Sequence, residues 1–156
     1  MHVFLDIDGV VATEDTWDAW YATGSDPDRR HELLDRTCAA FVQQLCDRLE
    51  ARVVISSSWR RLYAMDDLVT ILKRGGLALN VVGATPVRDD FDRGLEIHDY
   101  LAEQGIPVAD IVILEDAEEL DGLEHRTVRP WFCGDDAGFR APQYAAALAL
   151  VEKADP

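Results

Sequence analysis

Short, unbroken apolar runs set a helix apart constrain this chain more than any other feature. Val3–Leu5, Val53–Ile55, Leu79–Val82 and Ile111–Leu114, with a weaker run at Thr127–Val128, are too short for core helices and too uniformly apolar for strands with one wet face. The stretches between them carry a helical period. The longest spans Asp28–Leu49, with Asp26 as N-cap, Pro27 at the first helical position, and Leu34, Cys38, Phe41, Leu45 and Leu49 on one stripe. Others cover Arg60–Arg74, Leu95–Gln104 and Pro142–Lys153, and Gly75-Gly76 and Gly105 supply stops. This alternation predicts an α/β fold, a three-layer α/β/α sandwich around a mostly parallel sheet. With 156 residues and no linker, repeat or low-complexity stretch, the chain reads as one domain, residues 1–156, in which residues 11–26 form a short flap after the first strand.

In open parallel sheets ligands bind beyond the carboxyl ends of the strands, so the polar residues at those ends carry the function. The first strand runs directly into Asp6 and Asp8. Burying carboxylates costs several kcal/mol apiece unless a cation or hydrogen-bond donors meet them, and the strand supplies neither. A single Asp-x-Asp also fits a solvated strand end or a loop cap, but other strand ends are equally polar: Ser56-Ser57-Ser58 after the second, Gly83-Ala84-Thr85-Pro86 after the third, Glu115-Asp116 after the fourth. Magnesium takes oxygen ligands, so Asp6, the backbone carbonyl of Asp8 and Asp116 make a partial shell for it. Ser56, nearest the strand, is the candidate for holding phosphate oxygens, whereas Ser57 and Ser58 also suit a plain N-cap. Arg93 follows Asp92, the expected cap of the Leu95 helix, and a cation in a first turn opposes the helix dipole. Either it serves the site, or it pairs with Asp89 or Asp90 on the surface.

Composition narrows the partners. A formal charge of −15 disfavours binding along an extended duplex, although arginines recur beside the motifs and leave room for a small phosphorylated ligand. No apolar run approaches the roughly 18 residues of a membrane span, and the first residues form a strand pattern rather than a signal sequence, which together predict a cytoplasmic protein. Cys38, Cys46 and Cys133 form no Cys-x-x-Cys pair; the first two lie about 12 Å apart along one helical pattern, so all three are read as reduced thiols. His2, His31, His98 and His125 show no metal-ligand spacing and are read as structural.

"DIDGV", "VVISSSWR", "DRGLEIHDYL" and "IVILED" resemble, in order, the four motifs of the haloacid dehalogenase (HAD) superfamily, over most of residues 3–120. They are similar to those of its compact members, the phosphatase domains of nucleic-acid end-repair proteins. The resemblance implies a HAD-like Rossmannoid fold with at most a minimal cap. It further implies that Asp6 attacks phosphorus to form a phosphoaspartate, that Asp8 protonates the leaving oxygen and later activates water, that Ser56 orients the phosphoryl group, and that Arg93 is the third-motif cation. Gly9, Ser57 and Arg60 are expected on the substrate side, and Asp6, Asp8, Asp116 and Glu115 around Mg2+. Two departures stand out. The third-motif residue is more often lysine, which leaves Arg88 and Arg60 as rivals of Arg93. Glu115 stands where aspartate is common, leaving open whether it meets the metal directly, through water or not at all, with Glu119 a weaker substitute.

The function implied is magnesium-dependent phosphomonoester hydrolysis through an aspartyl-phosphate, on a phosphorylated small molecule or a phosphorylated nucleic-acid end. Carbon–halogen hydrolysis has no use for Asp8. The alternative is a phospho-ligand sensor or a repair-complex subunit with weak or absent hydrolysis. The inserted segments are too short for a large lid, so a bulky phosphorylated end could enter. Trp17, Trp20 and Tyr21 in the flap could stack a base or, at i, i+3 and i+4 spacing, simply pack it down. Trp59 is read as packing, Arg60 as reaching a second phosphate or a polymer backbone, and Arg140 as approaching the same rim.

Overall fold

The computed structural model describes residues 1–152. Strands β1 (His2–Leu5), β2 (Arg52–Ile55), β3 (Val81–Ala84), β4 (Ile111–Leu114) and β5 (Thr127–Val128) form one sheet in the order β3-β2-β1-β4-β5. Every neighbouring pair is parallel, with Val3 opposite Val53 and Val112, and Leu5 opposite Ile55 and Leu114. Because side chains alternate across a strand, this register builds two apolar faces. Val3, Leu5, Val53, Ile55, Val112 and Leu114 belong to the larger core, which takes in α1 (Glu14–Ala22), α2 (Arg36–Arg48), α3 (Met65–Arg74) and α5 (Ala141–Glu152). Phe4, Val54, Ile111 and Ile113 meet Ile97, Tyr100 and Leu101 of α4 (Arg93–Gln104) on the other face. The three-layer α/β sandwich follows from burial on both sides of the strands.

The strand order also locates the crevice. From β1 the chain moves outward through β2 to β3, then returns to the other side of β1 as β4. Loops leaving β1 and β4 therefore diverge, and a gap opens beyond their carboxyl ends.

Several boundaries differ from the sequence expectation. The helix expected over Asp28–Leu49 is broken: Pro27–Leu33 forms a 3-10 turn, Leu34 is extended, and α2 starts after Asp35. Asp35 stops the helix because its carboxylate accepts the N–H groups of Thr37 and Cys38 at 2.8 and 2.9 Å, an N-cap geometry. Arg60–Arg74 likewise divides into a 3-10 turn at Ser58–Arg61, capped by Ser57, and α3. The third strand starts two residues later than expected and includes Gly83, beside which the Tyr100 hydroxyl occupies the space of a Cβ. The flap holds the helix α1, and the last expected helix is α5, with Lys153 outside the described residues. Among the described residues no helix is long and apolar enough to cross a membrane.

Candidate active site

Three carboxylates converge in the gap beyond β1 and β4. Asp6, Glu115 and Asp116 each offer an oxygen within 4.8 Å of the others, and Asp6 and Glu115 are almost fully buried. The strand ends lock them there: Asp6 N–H donates to the Leu114 carbonyl and Ser56 N–H to the Leu5 carbonyl, each at 3.0 Å. Burial pushes the Asp6 carboxyl up to about 6, against the pull of the Arg93 charge. Burial, reinforced by the Asp6 charge, pushes Glu115 up to about 9, and burial raises Asp116 as well. An all-oxygen donor set that holds protons for want of positive charge suits a hard divalent cation. Gly9 makes room for this cluster. Its φ of +75° turns the chain sharply, and a Cβ there would run into the Asp116 carboxylate.

Arg93 is brought to the cluster by the first turn of α4. Asp92 caps that helix by accepting Leu95 N–H at 3.0 Å, and Gly94 lets the turn press against the Leu120 backbone, where no Cβ would fit. Arg93 Nε lies 2.9 Å from Glu115 Oε2 without pointing at it, while Nη1 donates to Glu96 at 3.0 Å and to the Ser56 carbonyl. Glu96 is a hub. Buried on the core side of α4, it accepts from Arg60, Arg61, Arg93 and the Arg88 N–H, which outweigh the cost of its burial and hold it below the usual carboxylate range.

Arg60 is turned inward, contrary to the expectation that it reaches toward a second phosphate. Its side chain is 3% exposed and donates to the carbonyls of Ser56, Ser57, Thr85 and Pro86, stapling the loops after β2 and β3. Arg88 pairs with Asp90 and Asp99 on the surface, which leaves Arg93 as the arginine at the acid cluster. Glu119 is exposed and stands outside that cluster, and Arg140 braces Ala137 and Asp35 instead of the rim.

Asp8 sits in a different environment from Asp6. Trp17 Nε1 donates to its Oδ1 at 3.0 Å and Trp59 Nε1 to its Oδ2 at 2.9 Å, so one indole from the flap and one from the serine loop fix the carboxylate plane. Each oxygen keeps a further lone pair for a proton. Behind Asp8, Trp20 is buried and packs edge-on to Trp17, with ring centroids 5.7 Å apart. Arg30 lies over Trp20 at 4.2 Å, and it forms no ion pair among the described residues. Trp20 therefore packs the flap, while Trp17 and Trp59 add a polar task to packing.

Consecutive serines point differently. The Ser57 hydroxyl favours the Asp6 carboxylate, and Ser57 Oγ accepts Trp59 N–H at 3.4 Å. The Ser56 hydroxyl is buried without a partner among the described residues, as is that of Thr85. Glu96 and the two indole donors are site residues that the sequence motifs do not single out. Glu96 had a detectable signal, a charged residue one before Ile97 and four before Tyr100 on the apolar stripe. The indole N–H directions had none, because they depend on how the flap folds back.

Residues 2–144 match the family described as "HAD domain in Swiss Army Knife RNA repair proteins". No curated protein and no solved structure matches the chain.

Proposed function

The chain belongs to this family of HAD domains, and from that premise we propose that it is a magnesium-dependent phosphomonoester hydrolase acting through an aspartyl-phosphate on phosphorylated nucleotide or polynucleotide ends. The observation that carries the reading is the contrast between two aspartates two residues apart: Asp6 within the acid cluster facing Arg93, and Asp8 outside it, clamped by two indoles.

In the first step a carboxylate oxygen of Asp6 attacks phosphorus, the bond to the leaving oxygen breaks, and Asp8 gives that oxygen its proton. In the second, Asp8 takes a proton from water, the water oxygen attacks phosphorus, and the bond to Asp6 breaks, releasing phosphate. Arg93 neutralises charge on the nucleophile and the phosphoryl group, and the Ser56-Ser57 segment orients it. Asp6, Asp116 and Glu115 would hold Mg2+, with Asp8 supplying its backbone carbonyl; the ion would offset the negative charge of cluster and phosphate together. The expected compartment is the cytoplasm, in keeping with three free thiols.

Phosphate release from para-nitrophenyl phosphate, nucleotides and oligonucleotides bearing 3' or 5' phosphate tests the reading. Turnover should require magnesium and vanish in Asp6→Asn. Binding of these compounds without release would favour the phospho-ligand sensor or a subunit of a repair complex.

A further inference from the structure

We infer that Trp131 is the platform on which the nucleobase adjoining the reacting phosphate stacks. The inference rests on the substrate class proposed above and assigns the part of the substrate that the acid cluster leaves unheld.

A pocket of about 500 Å3 borders Asp116 and is lined further by Glu118, Glu119, Arg129, Pro130 and Trp131. That volume falls in the range of small-ligand sites. Its edge at Asp116 adjoins the acid cluster, where Asp116 and Asp6 offer oxygens within 4.8 Å of each other. Its other edge is Trp131, 71% exposed, whereas Trp20 and Trp59 are buried and Trp17 is half-buried with its N–H committed to Asp8. Leaving an indole in water forgoes one of the largest apolar burials a side chain offers.

The ring is displayed by a backbone that is pinned. Pro130 before it is buried, the Trp131 carbonyl accepts Gly138 N–H at 2.7 Å, and the Phe132 carbonyl accepts Glu14 N–H at 3.1 Å in the first turn of α1. Phe132 and the exposed Tyr21 line a second hollow with Trp17, whose N–H meets Asp8.

Glu118, Glu119 and Arg129 give the hollow both signs of charge, and carboxylates accept the amino groups of bases. The phosphoryl end then belongs to Arg93 and the flat, neutral end to Trp131, whose face every base can use. The stacking expected of Trp17 or Trp20 falls instead to a tryptophan in a loop that follows β5.

Binding decides this independently of turnover. In the Asp6→Asn protein with magnesium, dissociation constants would be measured calorimetrically for adenosine 3'-monophosphate, adenosine 5'-monophosphate and ribose 5-phosphate, with and without Trp131→Ala. At least one adenosine phosphate should bind more tightly than ribose 5-phosphate, and Trp131→Ala should weaken it about tenfold, the loss of one stacked base. Ribose 5-phosphate should be unaffected, and Trp131→Phe should restore most of the difference. Equal binding of all three ligands, no effect of Trp131→Ala, or an equal loss for ribose 5-phosphate would overturn the inference. Absent phosphate release by the unmutated protein would sink the phosphatase reading instead, while the binding comparison would still decide the role of Trp131.

Discussion

Asp6 and Asp8 are the same residue type two positions apart, and their surroundings differ. Asp6 lies among buried acids and needs positive charge; Asp8 is oriented by two N–H donors. That Asp6, Glu115 and Asp116 share one crevice was legible in the sequence because they follow strand ends of a parallel sheet, whereas Arg93 comes from a helix start and had Arg88 and Arg60 as rivals. The clamp on Asp8 was not, since an indole reads as packing until its N–H has a direction. Trp17→Phe removes one donor and keeps the ring. It should lower kcat/KM about tenfold for an alkyl phosphomonoester, whose leaving oxygen needs a proton, and much less for para-nitrophenyl phosphate; equal losses would discount the clamp. The acid cluster makes a prediction about pH. With chelator present, burial raises Asp6 to about 6 and Glu115 to about 9, so the folded chain binds more protons than the unfolded one from the ordinary carboxylate range up to those values. Stability should therefore be highest below that window and fall as pH rises through it. Urea melts should show Glu115→Gln flattening the decline and magnesium reversing it; a chelated protein whose stability does not depend on Glu115 would contradict this electrostatic picture.

Among the elements, α4 does most to build the site, since its first turn delivers Arg93 to Glu115 and its buried face carries Glu96. That Arg93 violates the helix dipole was visible from sequence, and the violation is compensated by Glu96 three residues on, within the same turn. Helix ends were less legible than helices. Asp35 resembles an interior polar residue of a long periodic segment yet caps a new start, whereas Ser57, which suited an N-cap in the sequence, is one. What separates the two outcomes is the burial of Leu33 and Leu34 together, a tertiary constraint that no local period encodes. Close packing at Gly94 is testable. Gly94→Ala places a Cβ against the Leu120 backbone and should cost about 1–3 kcal/mol by overpacking, read from urea unfolding. A variant as stable as the parent would mean that α4 can move away without loss.

For the whole molecule, the topology that reverses direction at β1 and β4 brings three carboxylates together at the strand ends of a chain whose charge is already −15. The sheet offers one crevice, and the chemistry proposed there needs carboxylates. Strand positions carried enough information to predict the layers; the route of the flap and of the loop bearing Trp131 did not emerge, because their aromatic contacts are long-range. The thiols report on the same packing. Cys38 and Cys46 are buried in the larger core and burial pushes each up to about 12, whereas Cys133 is exposed. One thiol per chain should react rapidly with a colorimetric disulfide reagent at pH 8, and three after denaturation; three fast thiols in the native state would contradict the packing of α2.

Covalent attack by Asp6 can be trapped by acid-quenching the magnesium-loaded enzyme during turnover, reducing with borohydride and sequencing the N-terminal peptide by mass spectrometry. An acyl-phosphate at Asp6 should be reduced, leaving homoserine there. Active enzyme whose Asp6 survives unmodified, while another carboxylate is reduced, would contradict it.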